Sequence, residues 1–140
     1  MSLLLDTHLL IWAASMPERL SSAMSKLMEQ PENQLYFSAL SLLEITIKLG
    51  LGRPDFIVDS SLLNRGLIDN GYTELVLKST HSLTHDQLPP IHKDPFNRIL
   101  FAQAVFEGML LLTTDSLGAQ YPGPIKLVWI YSKLNENCVF

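Results

Sequence analysis

The sequence predicts an α/β fold in which a parallel sheet carries helices on both faces, and three observations lead there. Leu3–Leu5, Leu75–Leu77, Met109–Thr113 and Lys126–Ile130 are short apolar runs without polar alternation, as expected of strands covered on both sides. Segments with helical apolar spacing separate them. Strand and helix alternate from end to end, which is the order of βαβ units.

The elements follow in turn. After the Leu3–Leu5 strand, helical spacing runs over Leu9–Ala14 and Ser22–Glu29, and Leu35-Tyr36-Phe37 is a weaker strand. Leu40–Leu49 is the next helix, stopped by Gly50-Leu51-Gly52-Arg53-Pro54, and Ser61–Asn70 is ended by Gly71. A helix over Ser79–Leu88 follows the Leu75–Leu77 strand. In Asp94-Pro95-Phe96-Asn97, Asp94 suits an N-cap and Pro95 the first helical position, where a missing N–H costs nothing. That helix extends to Glu107, and Gly108 ends it before the Met109 strand.

With 140 residues, 47% of them hydrophobic, the chain fits one domain over residues 1–140 with ample material for a core. A formal net charge of −4 argues against nucleic-acid binding through a broad basic field, yet leaves room for a basic partner or for RNA held in a metal-filled cleft. Cys138 is the single cysteine, so neither an intramolecular disulfide nor a cysteine-based zinc site is available. The start Ser2-Leu3-Leu4-Leu5 is broken by Asp6 and His8 and reads as a buried strand, not a signal peptide. No apolar run approaches the roughly 18 residues that span a bilayer. These features predict a cytoplasmic protein with no membrane partner.

Acidic residues fall at the ends of apolar segments. Asp6 follows the first strand, Asp115 follows the Met109 strand, and Glu44 lies inside Ser41-Leu42-Leu43-Glu44-Ile45 on a helix. Ligands of open parallel sheets bind beyond the carboxyl ends of the strands. Thr7, Thr113 and Thr114 place hydroxyls beside Asp6 and Asp115, where they can orient a carboxylate or a bound water. Clustered carboxylates raise one another's pKa and need a counter-charge, for which hard, oxygen-preferring Mg2+ or Mn2+ is suited. Such a site can activate water for phosphodiester hydrolysis. Each acid also has a plain structural reading: a strand-end Asp forms turns, Glu44 pairs with Lys48 one turn on, and Asp94 caps its helix.

Four segments in order, Leu3-Leu4-Leu5-Asp6-Thr7-His8, Ser38-Ala39-Leu40-Ser41-Leu42-Leu43-Glu44-Ile45, His92-Lys93-Asp94-Pro95-Phe96-Asn97-Arg98-Ile99-Leu100-Phe101-Ala102-Gln103-Ala104 and Leu112-Thr113-Thr114-Asp115, closely resemble the PIN-domain ribonucleases, specifically the VapC-like toxins of type II toxin–antitoxin modules. The resemblance covers essentially the whole chain. It implies a three-layer α/β/α fold with a central, mostly parallel sheet, a four-acid site holding Mg2+ or Mn2+, metal-dependent endonucleolytic cleavage of RNA, and a small cognate antitoxin protein that occupies the cleft. Asp6, Glu44 and Asp115 fall on three of the acidic positions as catalytic and metal-binding residues. The fourth, which directly precedes Arg98, is Asn97 here, leaving a weak ligand or one that acts from behind the ligands. Asp94 could compensate through water, and Arg98 faces either a phosphate or a neighbouring acid.

The alternative is a catalytically weakened PIN domain that survives as an antitoxin-binding or interaction protein, favoured by Asn97 itself. A phosphatase using Asp6 as nucleophile is a poorer fit, because His8 stands where enzymes of the haloacid dehalogenase kind carry a second Asp. His81 and His85 share helical spacing without a third ligand and are expected to be solvated. Trp12 and Trp129 are expected in the core or a dimer face, since no basic residues interleave with them for base stacking. Apolar surplus over Leu9–Trp12 and Leu20–Met28 predicts a homodimer, in which VapC-like proteins are similar.

Overall fold

The computed structural model describes residues 1–54, 58–85, 94–114 and 125–127. Within them five strands, β1 (Ser2–Leu5), β2 (Gln34–Ser38), β3 (Thr73–Leu75), β4 (Leu110–Thr113) and β5 (Ile125–Leu127), form one sheet in the order β3-β2-β1-β4-β5. Every pairing is parallel, with Leu3 opposite both Leu35 and Leu110. Among the described residues six α-helices connect the strands: α1 (Thr7–Ser15), α2 (Ser22–Glu29), α3 (Ala39–Gly50), α4 (Ser60–Asp69), α5 (Ser79–His85) and α6 (Pro95–Glu107). A short 3-10 turn over Pro17–Arg19 follows α1, and the Arg19 guanidinium lies 4.4 Å from the centroid of the Trp12 ring.

The central strand divides the core. Successive strand residues face opposite sides of a sheet, so Leu3 and Leu5 enter one cluster with Leu9, Leu10, Met24, Leu63 and Leu67 of α1, α2 and α4. Leu4 enters the other, with Leu100, Phe101 and Ala104 of α6. Leu3, Leu4 and Leu5 are fully buried, which accounts for the unbroken apolar run. The three-layer α/β/α expectation holds, and the described sheet is parallel throughout.

Two boundaries show their chemistry plainly. Asp94 Oδ1 accepts from the Phe96 N–H at 3.0 Å at the start of α6, and Gly108 ends it at φ 67°, a left-handed position that suits a residue without Cβ. The strand expected over Leu75–Leu77 is displaced to Thr73–Leu75. Its ladder pairs Tyr36 with Thr73 and Ser38 with Leu75, and the chain then leaves the sheet with Val76 and Leu77 exposed. Residues 128–130 of the last expected strand and 86–88 of the Ser79 helix lie outside the described residues.

The apolar surplus assigned to Leu9–Trp12 and Leu20–Met28 is covered within the chain. Leu9, Leu10, Ile11, Leu20 and Met24 are buried, with Trp12, Leu27 and Met28 packed on the same cluster. Exposed apolar side chains lie instead at Leu43 and Ile47 of α3, at Leu51 and at Leu62 of α4. Among the described residues, no helix is long and apolar enough to cross a membrane.

Candidate metal centre at the sheet's carboxyl edge

The strand order reverses direction at β1. The chain steps from β1 to β2 to β3 on one side, then returns to β4 on the other. A crevice at such a switch point, beyond the carboxyl ends of the strands, is where parallel sheets bind ligands. Asp6 follows β1 at this place, and Thr114 follows β4.

Asp6 is buried and held on three sides. Its Oδ1 accepts from the Leu9 N–H at 2.9 Å, capping α1. Its Oδ2 accepts from the Thr113 hydroxyl at 2.7 Å and the Thr114 N–H at 3.1 Å. Burial pushes the Asp6 carboxyl above its ordinary range; the Leu9 N–H, the Thr113 hydroxyl, the charge of His8 and the Thr114 N–H oppose that rise. These hydrogen bonds all come from neutral donors.

Glu44 is also buried, with different partners. The Thr7 hydroxyl donates to Glu44 Oε1 at 2.6 Å, and Ser41 Oγ lies 3.0 Å from Thr7 Oγ1. Lys48 Nζ lies 2.6 Å from Glu44 Oε2 and 3.2 Å from Asp94 Oδ2. Burial opposes the charge of Lys48, but Glu44 and Asp94 outweigh it and raise the ammonium's pKa. The i,i+4 pair legible in the sequence is therefore real, and the same ammonium reaches the carboxylate that caps α6.

The hydroxyls cross over. Thr7, next to Asp6 in sequence, orients Glu44, and Thr113, expected beside Asp115, orients Asp6. Asp6, Thr7, Glu44, Lys48 and Asp94 are thereby linked along one edge, and half-buried Asn97 and Arg98 occupy the first turn of the helix that Asp94 caps. Asp115 lies outside the described residues. Among the described residues, no three His, Cys, Asp or Glu side chains converge as a metal set. The donors that are placed, the carboxylates of Asp6 and Glu44, are all oxygen and suit a hard cation, and the hydrogen bonds to the deeply buried Asp6 all come from neutral donors. The site's residues fit magnesium or manganese on that ground.

Beside the acids lies a buried polar network with no counterpart in the sequence reading. Ser38 Oγ accepts from the Leu40 N–H at 3.1 Å, capping α3, and donates to Gln103 Oε1 at 2.6 Å. Gln103 Nε2 is 3.4 Å from both the Val76 carbonyl and His81 Nδ1. His81 is fully buried, contrary to the expectation of a solvated side chain. Its Nδ1 accepts from the Lys78 N–H at 3.0 Å, its Nε2 lies 3.2 Å from Glu107 Oε1, and its ring meets Phe106 edge-on. A single polar residue among Leu100, Phe101 and Ala104 was the available signal for Gln103, and Ser41, one helical turn before Glu44, was the signal for its hydroxyl.

A groove of about 730 Å³ is lined by Ala13, Leu35, Val58, Leu62, Leu67 and Tyr72 among others, and not by Asp6, Glu44 or Asp94. Burial there pushes the Tyr72 hydroxyl up to about 12.

The architecture is shared with chains of known complexes. One chain in the crystal structure of VapBC2 from Rickettsia felis, bound to a DNA fragment from its promoter, superposes with a TM-score of 0.68 at 12% identity, covering 91% of this chain and 98% of that one. The chain carries a VapC-like PIN fold. A chain of VapBC-1 from nontypeable Haemophilus influenzae gives a TM-score of 0.54 at 18% identity, covering 82% of this chain and 87% of that one. No family model matches the sequence, and no curated protein matches it. At these identities the likeness concerns the fold.

Proposed function

We propose that this chain is a metal-dependent endoribonuclease, the toxin of a toxin–antitoxin pair, formed as a single PIN domain over residues 1–140 and acting in the cytoplasm. The observation that carries the reading is the meeting of Asp6 and the Thr7–Glu44 pair at the switch point of a VapC-like sheet. Asp6, Glu44 and Asp115 would hold Mg2+ or Mn2+, with the Asn97 amide as a weak ligand. Bound there, the ion would neutralise the carboxylates, activate water and offset charge developing on the phosphodiester.

The chain's own groups do the positioning. The Thr113 hydroxyl and the Thr114 N–H aim Asp6 Oδ2, the Thr7 hydroxyl aims Glu44 Oε1, and Glu44 serves as ligand or as base toward the attacking water. Arg98, in the first turn of α6, would meet a phosphate of the RNA. The VapBC complexes among its structural neighbours support a small antitoxin protein as partner. The exposed apolar residues of α3 and α4 leave surface for a homodimer.

One reading competes. Asn97 brings no charge, and Lys48 already neutralises Glu44, which favours a PIN domain kept for binding a partner. Calorimetric titration with Mn2+ separates the two. The nuclease reading expects binding that Asp6→Asn abolishes and Asn97→Asp strengthens. Two unit charges about 4 Å apart interact by on the order of 4 kcal/mol at an effective dielectric near 20, and solvation returns much of it. A gain of about tenfold in affinity, or roughly 1.4 kcal/mol, is the expected remainder. Unchanged affinity in Asn97→Asp would place this position outside the site, and no binding by the wild type would favour the interaction protein.

A further inference from the structure

Lys48 departs from an ordinary helix-surface lysine in three respects. Its side chain is only 15% exposed, and its ammonium lies 2.6 Å from Glu44 and 3.2 Å from Asp94, two carboxylates brought from separate helices. It also lies 5.7 Å from the centroid of the Phe96 ring, beside the Asp94 cap. A surface i,i+4 pair contributes about 0.2–0.5 kcal/mol and joins residues of one helix. Here a further pair, Lys48–Asp94, ties α3 to the start of α6, and removing the lysine would leave the buried Glu44 carboxylate without its counter-charge.

Glu44 makes the consequence specific. Thr7 donates to one of its oxygens and Lys48 to the other, so the ammonium already holds an oxygen that a second cation would need. Asn97, the neutral residue of the set, stands in the turn that Lys48 anchors.

We propose that Lys48 is a positioning residue that serves as the resident cation of this site: it neutralises Glu44, pins the Asp94 end of α6, and limits the crevice to a single divalent ion held mainly from the Asp6 side. The inference rests on the proposed metal-dependent reading. In it, the lysine supplies positive charge in place of a second metal ion, and the Asn97 amide leaves out the negative charge that a fourth acid would bring. Lysine suits this as a compact point charge with three donors on a flexible stem.

The test is calorimetric titration of the purified full chain with Mn2+, comparing wild type, Lys48→Met and Lys48→Arg, with thermal unfolding in the absence and presence of the metal. Wild type is expected to bind one ion, and Lys48→Arg to match it within a few-fold. Lys48→Met should bind Mn2+ about tenfold more tightly or accept a second ion. Its metal-free melting temperature should fall and recover on saturation with Mn2+, a pattern that a lysine acting only in packing would not give. Lys48→Gln, which keeps a donor without the charge, supplies the same comparison if Lys48→Met is too unstable to purify. Binding by Lys48→Met and Lys48→Gln no tighter than wild type, with unchanged stoichiometry, overturns the inference alone. Absence of Mn2+ binding in wild type and all variants overturns the metal reading and this inference with it.

Discussion

Ser38→Ala is a small change with two separable costs. Ser38 is fully buried, and its hydroxyl both caps α3 and donates to Gln103 Oε1 at 2.6 Å. Loss of a serine N-cap costs about 1 kcal/mol, and leaving a buried acceptor without a donor costs about 1–3 kcal/mol. The sum is about 2–4 kcal/mol, on the order of 10 °C in melting temperature for a domain of this size. Urea unfolding of Ser38→Ala, Gln103→Met and the double variant isolates the shared term. The two costs overlap at one hydrogen bond, so the double variant should be less destabilised than the sum of the singles by about 1 kcal/mol or more. Destabilisation of Ser38→Ala below about 0.5 kcal/mol, or strict additivity, would refute a stabilising Ser38–Gln103 hydrogen bond.

Two further outcomes follow from the acids' surroundings. Thr7→Val keeps the side chain's shape but removes the donor to a buried carboxylate, so stability should fall by about 1.5–3 kcal/mol and RNA cleavage by roughly tenfold. Thr7→Ser should restore both, and wild-type cleavage by Thr7→Val would remove Thr7 from the positioning of Glu44. For Asp6, burial raises the folded-state pKa above 3.8, so the native state holds its proton where the unfolded chain has released it. Its contribution to stability is therefore full below the unfolded value and is lost as pH rises through the folded one. Metal-free protein should lose stability over that interval by up to about 1.4 kcal/mol per pH unit, and Asp6→Asn should flatten the fall. Equal slopes in urea unfolding across the acidic range would contradict the assignment.

Much of the fold was legible because the chain states it locally. Unbroken Leu3–Leu5 and Met109–Thr113 announced doubly covered strands, the second observed over Leu110–Thr113, and Asp94-Pro95 with Gly108 bracketed α6. The displaced strand was harder to see. Val76 and Leu77 carry the apolar pattern of a strand, yet β3 is an edge strand whose register is set by β2, 35 or more positions earlier in sequence. Asp6, Glu44 and Asp94 could be picked out one by one, since a strand end, a helix and a cap are local features. Their wiring could not be, because Thr113 reaches Asp6 across 107 positions and Lys48 reaches Asp94 across 46. His81 was misjudged for the same reason: a polar helical stretch looks solvated until Gln103 and Glu107 are folded against it.

Cleavage of RNA by the purified protein tests the central claim most directly, measured with Mn2+, with chelator, and with Asp6→Asn in place of wild type. The account predicts slow endonucleolytic cleavage that requires the metal and disappears in Asp6→Asn while the variant remains folded. Cleavage indifferent to chelator, or undiminished in Asp6→Asn, would contradict it.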